Sequence, residues 1–125
     1  GTAPRGYASV MSNPECGLAR AAGQGAYAVV FTSIRTEGDQ GYEQTSDEML
    51  ALAAAQPGYL GVESARGPDG LGITVSYWRD LEAIRAWKAH ADHRAAQRAG
   101  RERWYRAYRI RVCRIEREYG FEREG

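Results

Sequence analysis

From residue 27 onward, apolar positions recur with two different periods. Tyr27–Arg35, YAVVFTSIR, is dense in β-branched and aromatic residues and carries apolar side chains on both alternating faces. That pattern suits a strand covered on both sides. TEGDQG then punctuates the chain. Residues 42–56 take a helical period, with Tyr42, Thr45, Met49, Leu52 and Ala53 on one face. Pro57-Gly58 stops that helix. YLGVESAR predicts a second strand, and the GPDG tetrad after it is a turn signal that joins it as a hairpin to a third strand over residues 72–78. Asp80 is placed to cap the next helix, and Glu82 sits where the positive end of the helix dipole favours a carboxylate. Leu81, Ile84, Trp87 and Ala91 make its inner face. Asp92 is a second candidate cap, so a break is expected near residues 89–92, with helix resuming up to Gly100. RERWYRAY reads as an irregular connector. Residues 107–118 alternate as a last strand, with Tyr108, Ile110 and Val112 on one face and Cys113 and Ile115 on the other.

The predicted order is β-α-β-β-α-β. That is an α+β, ferredoxin-like arrangement: an antiparallel four-stranded sheet with both helices on one face. The strands are apolar on the other face as well, which a lone copy would leave exposed to water. A second copy packed sheet to sheet removes the problem, so the pattern predicts a homodimer through the sheet face, with two-fold symmetry.

Composition narrows the picture without changing it. The chain has 125 residues, 43% hydrophobic and 26% charged, and its net charge is +1. This fits one soluble domain, expected at residues 27–121, between an extension at 1–26 and a tail at 122–125. The extension is broken by Pro4, Pro14 and several glycines; Tyr7, Val10, Met11 and Leu18 are its candidate anchors. The near-neutral charge gives no case for nucleic acid, and Lys88 is the only lysine. No apolar run approaches the roughly 18 residues that span a membrane, and none has the shape of a signal peptide. A reduced, cytoplasmic setting is expected. Cys16 and Cys113 lack metal-ligand or disulfide-framework spacing, and Cys113 reads as a small buried hydrophobe.

Four stretches carry a family resemblance: FTSIRTEGDQGY, QPGYLGVES, GITVSYWRDLEAIRAWK and RVCRIEREYGF. Together they resemble the antibiotic biosynthesis monooxygenase (ABM) domain family of the dimeric α/β-barrel superfamily, over about residues 27–121. The unit from Tyr77-Trp78 through Ala83 to Trp87 is its most specific part. The resemblance implies a homodimeric barrel with a pocket between each sheet and its own helices. It also implies one of three chemistries: cofactor-independent oxygenation of anthrones, quinol monooxygenation, or heme degradation. Trp87 matches a pocket tryptophan of the heme-degrading branch. Where that branch has its iron-ligating histidine this chain has Gln97, a poor axial ligand, and where it has an asparagine this chain has Ser33. Heme is therefore disfavoured, and no metal or other cofactor is expected.

The candidate site residues each have a packing alternative. Trp87 is a pocket wall or a core aromatic, and the two are compatible. His90 follows it by one turn on a continuous helix, with Arg94 one turn further. If the helix breaks, His93 turns inward instead, flanked by Asp92 and Arg94, and is the preferred proton carrier. Tyr77 and Trp78 face opposite sides of the sheet. Ser33 shares a face with Arg35 and is a candidate hydrogen-bond donor or a hydroxyl held by backbone. Trp104, Tyr105 and Tyr108 form a pocket rim or a subunit seam.

The expected function is a cofactor-independent monooxygenase acting with O2 on a small electron-rich aromatic of quinol, phenol or anthrone type. His93 would be the base, Ser33 and Gln97 donors to the developing oxyanion, and Trp87, Tyr77, His90 and Arg94 the substrate-binding residues. The alternatives are a heme-degrading relative using a different histidine, and a dimeric ligand-binding module without chemistry.

Overall fold

A computed structural model describes residues 17–98 and 101–123. The elements follow the expected order with one addition, a single helical turn where an irregular connector was expected: β1 (Tyr27–Arg35), α1 (Tyr42–Ala54), β2 (Tyr59–Arg66), β3 (Leu71–Trp78), α2 (Leu81–Arg98), the turn α3 (Arg101–Trp104) and β4 (Tyr105–Arg114). The four strands form one antiparallel sheet in the order β2-β3-β1-β4. The fold is α+β and ferredoxin-like.

The strand register assigns every side chain to a face, because alternate residues point to opposite sides. On the helix side four rows cross the sheet. Arg66, Gly72, Ser33 and Tyr108 form one row, and Ser64, Thr74, Phe31 and Ile110 the next. Val62, Ser76, Val29 and Val112 follow, then Tyr59, Trp78, Tyr27 and Arg114. The core sits at the last of these rows. Trp78 is fully buried there, with Ala53 of α1, Ala83 and Ile84 of α2, and Trp87 around it. Its indole donates to Ser76 Oγ at 2.9 Å, which satisfies the one polar atom it buries.

Local chemistry sets the element ends. Asp80 Oδ1 accepts from Ala83 N at 2.8 Å, the expected N-cap of α2. Gly58 has φ +87°, and a Cβ there would lie 2.7 Å from Ala83 Cβ. Only glycine lets the α1–β2 link press against the first turn of α2 in that conformation. Gly70, at φ +91°, closes the GPDG turn.

Some expectations fail for clear reasons. α2 runs unbroken through residues 89–92, because Asp92 caps nothing there; its carboxylate is held by Lys88 Nζ at 2.7 Å and Arg101 Nη2 at 2.8 Å. The Lys88 hydrogen bond, ahead of Arg101, holds the Asp92 carboxyl below its usual range. α1 ends at Ala54 rather than Gln56, closed by tight bonds from Ala55 N to Leu52 O and from Gln56 N to Ala53 O. β4 starts two residues early, at Tyr105, through an irregular register opposite Ile34 and Arg35. Cys113 is exposed rather than buried, since it lies on edge strand β4 and faces away from the helices.

The face opposite the helices is apolar along β1 and β3, and Leu71 and Ile73 there are both 45% exposed. Residues 17–25 cross one end of it. Ala19 N donates to Glu63 Oε2 at 3.1 Å; Ala22 N and Gly23 N donate to the Glu118 carboxylate at 3.1 and 2.7 Å. Backbone amides therefore hold this segment, and Leu18 is exposed rather than an anchor. Tyr7, Val10, Met11 and Cys16 lie outside the described residues. The tail aromatics Tyr119 and Phe121 are almost wholly exposed. Among the described residues, no helix is long and apolar enough to cross a membrane.

Candidate functional site

The helix layer covers β2, β3 and β1 but leaves the helix side of β4 open. Tyr108, Ile110 and Val112 point to that side by register, yet are 40%, 46% and 48% exposed. Beside them on β1 lie Val29 and Phe31. The result is an apolar strip along β4, bordered by Phe31 of β1, that no described element covers.

The strip runs into an aromatic and polar cluster at the start of α1. Phe31 meets Tyr105 edge-on with ring centroids 5.5 Å apart, and Tyr105 meets Tyr42 edge-on at 5.8 Å. Tyr108 lies 5.5 Å from Phe31 and 5.7 Å from Tyr105. Burial, then the neighbouring Tyr42, raises the Tyr105 phenol well above the usual range, while Arg66 and Arg35 pull the other way. Trp104 is buried alongside, its Nε1 donating to Gln40 O at 2.9 Å.

Two arginines bracket Tyr42. The Arg35 guanidinium lies 3.8 Å from the Tyr42 ring centroid and donates to Trp104 O at 2.6 Å and Gly38 O at 3.1 Å. Arg66 Nη2 donates to Ser33 Oγ at 2.8 Å and to Tyr42 Oη at 3.3 Å; its Nη1 donates to the Ser33 and Gly70 carbonyls. Arg66 reaches Ser33 through the space left by Gly72. A Cβ on Gly72 would lie against the Arg66 guanidinium carbon, with both terminal nitrogens within 2.7 Å.

The residues expected to form one site are dispersed. Trp87 does face inward, but it stacks on Trp78 at 6.2 Å between centroids and an interplanar angle of 20°, as part of the core. Ser33 is six residues along β1 from the Trp78 row, about 20 Å at strand rise. Ser33 is also 1% exposed, with its hydroxyl taken by Arg66. Tyr77 lies on the opposite sheet face from Trp87. It donates to Glu63 Oε1 at 2.6 Å, and burial, then Glu63, raises its phenol. Both His90 and His93 are exposed, because an unbroken α2 turns Ile84, Trp87, Ala91 and Ala95 inward instead. Arg94 pairs with Glu48 of α1 at 3.6 Å and ties the helices together. The Gln97 side chain lies outside the described residues.

Tyr42, Arg66 and Phe31 are what the sequence reading passed over as site residues, while Tyr105 and Tyr108 were read as a pocket rim or a subunit seam. One signal was available: the four-residue hairpin turn sets Arg66 opposite Gly72, and a long side chain beside a glycine can lie flat across it. No set of three or more His, Cys, Asp or Glu capable of holding a metal occurs among the described residues. The two exposed histidines do not fit heme ligation between helix and sheet.

Comparison with known proteins places this geometry in a family. The antibiotic biosynthesis monooxygenase profile matches residues 26–99. The uncharacterized protein YqjZ of Bacillus subtilis (strain 168) is 50% identical over 96 residues, 77% of this chain and 84% of YqjZ. Among solved structures, Rv0793 of Mycobacterium tuberculosis superposes with a TM-score of 0.63 at 17% identity, over 76% of this chain and 99% of that one. SnoaB, a cofactor-independent oxygenase from Streptomyces nogalater, superposes with a TM-score of 0.62 at 15% identity, over 75% of this chain and 96% of SnoaB. The matched span runs from the residue before β1 into the residue after α2, so this chain belongs to the antibiotic biosynthesis monooxygenase family.

Proposed function

We propose that the protein is a cofactor-independent monooxygenase that acts with O2 on a small electron-rich aromatic of quinol, phenol or anthrone type. The observation that carries this reading is the strip of Tyr108, Ile110 and Val112, bordered by Phe31 and ending at the edge-on Tyr42–Tyr105 ring pair. A flat ring finds apolar and aromatic surface on the strip, and its oxygen finds donors at one end. Family membership and the fold shared with SnoaB support the reaction class.

For an anthrone the chemistry balances without a cofactor. Loss of a proton gives a resonance-stabilised anion, which passes one electron to O2. The radical and superoxide then combine at the ring carbon to a peroxide anion, which takes back from solvent the proton released there in the first step and becomes a hydroperoxide. Loss of water leaves a carbonyl, with one oxygen atom retained and the other in the water. The protein's part is to hold the ring, favour the anion and limit water around it. In this arrangement Ser33 acts through Arg66, the Tyr42 and Tyr105 phenols face the substrate oxygen, and His93, exposed on α2, takes no part.

Oxygen-electrode traces with a panel of anthrones, quinols and catechols test the proposal. Uptake with at least one class, reduced at least tenfold in Tyr105→Phe, is the expected outcome. No uptake with any of them, while one still saturates the strip in a binding assay, overturns it in favour of a binding module.

A further inference from the structure

Arg35 and Arg66 pose an electrostatic question that the proposed reaction leaves open. Their guanidinium groups flank one aromatic ring, with Arg66 5.9 Å and Arg35 3.8 Å from the Tyr42 centroid. Among the described residues their hydrogen-bond partners are neutral: backbone carbonyls and the Thr36, Ser33 and Tyr42 hydroxyls, with the Tyr42 ring between them. Among the described residues the ion pairs are Arg79–Asp80, Lys88–Asp92, Arg94–Glu48 and Arg101–Asp92, and neither Arg35 nor Arg66 takes part in one. Asp39, near in sequence, is spent on the first turn of α1. Its carboxylate accepts from Gly41 N at 3.0 Å and Glu43 N at 3.1 Å.

Carbonyls and hydroxyls orient a guanidinium but leave its charge in place. Two such charges beside a half-buried tyrosine, with the positive end of α1 close by, make a local positive potential with no counter-ion among the described residues. Gly72 adds a second, independent point. The glycine leaves a trough in the sheet in which the Arg66 side chain lies, so that this exposed arginine rests its guanidinium against the buried Ser33 and against Tyr42.

We infer that Arg66, positioned by Ser33 and Gly72 and reinforced by Arg35, is the seat for an ionised oxygen on the aromatic ligand, a carboxylate or a phenolate. This rests on the ring lying along the strip as proposed above, and it names the class of molecule: a planar aromatic acid, not a neutral hydrocarbon-like ring. The anion meets guanidinium and phenol donors at the Tyr42 end while the ring extends over Tyr105, Phe31 and Tyr108. Charge-assisted hydrogen bonds are the stronger kind, so an anion should be preferred over its neutral twin by about tenfold or more.

Calorimetric titration with two matched pairs tests this in the full chain. 2-Naphthoate against 2-naphthamide reads the carboxylate, and 2,4-dinitrophenolate against 2,4-dinitroanisole reads the phenolate. The expected result is a preference of about tenfold or more for at least one anion, and the pair that shows it tells which oxygen acid the seat takes. Arg66→Gln should remove the preference and leave the neutral probe's affinity within about twofold. Gly72→Ala, which touches no ligand, should have the same effect by displacing Arg66. Equal affinity for both members of both pairs overturns the inference, and so does a preference that survives in both variants. The wild-type comparison decides the matter even if a variant fails to fold. A charge preference without oxygen uptake on any substrate keeps the seat and removes the oxygenase reading; uptake without charge preference does the reverse.

Discussion

Ser33 shows how little a single residue's chemistry says before its neighbours are known. As a hydroxyl on an apolar strand it is a fair candidate donor to a substrate. In the fold it is buried and receives a guanidinium hydrogen bond, so it acts by holding Arg66. Removing it with Ser33→Ala should cost about 1 kcal/mol in urea unfolding, the usual worth of one such bond, and should loosen Arg66. Gly58 makes a sharper case. Alanine there must take a left-handed φ and sits 2.7 Å from Ala83 Cβ. Gly58→Ala is expected to lose about 2 kcal/mol or more, from the backbone term and the displaced helix together. A urea midpoint equal to wild type would remove that account of the α1–β2 link.

At the scale of elements, α2 is the instructive one. Its start was legible, because Asp80 and Glu82 stand before an apolar period, and the Asp80 cap is there. Its middle was misread, because an aspartate can cap a helix or pair along one, and sequence does not say which. Lys88, four residues before Asp92 on the same face, and Arg101 beyond the helix decide it. The consequence for function is large: without a break, His93 stays at the surface. Asp80→Ala should cost about 1 kcal/mol at the cap, and Trp78→Ala about 3–5 kcal/mol through the core cavity it leaves. Circular dichroism melts that rank the two variants the other way would contradict the placement of the core at the Trp78 row.

At the scale of the molecule, the helix layer is narrower than the sheet. Among the described residues it leaves the strip on β4 open on one side, and on the other side residues 17–25 cross one end of the apolar face of β1 and β3 and leave Leu71 and Ile73 exposed. We propose that the second face is closed by another copy, as the apolar pattern on both strand faces requires. Ile73→Asp would bury a carboxylate in that contact. Sedimentation velocity should show wild type as a dimer and this variant as a monomer. A wild-type monomer at micromolar concentration would overturn the proposal, as would a variant that remains dimeric.

The sequence by itself determined the order of elements, the antiparallel sheet and the family. These rest on local signals: strand and helix periods, the GPDG turn, the Pro57-Gly58 stop and the Asp80 cap, each acting within a few residues. Tertiary structure alone decided which chemistry-bearing side chains meet. Arg66, Ser33, Tyr42 and Tyr105 come from four separate elements and are brought together by strand register and the seat of α1. Periodicity puts a residue on a face of its own element, but the neighbour across the sheet depends on a register set by the whole fold.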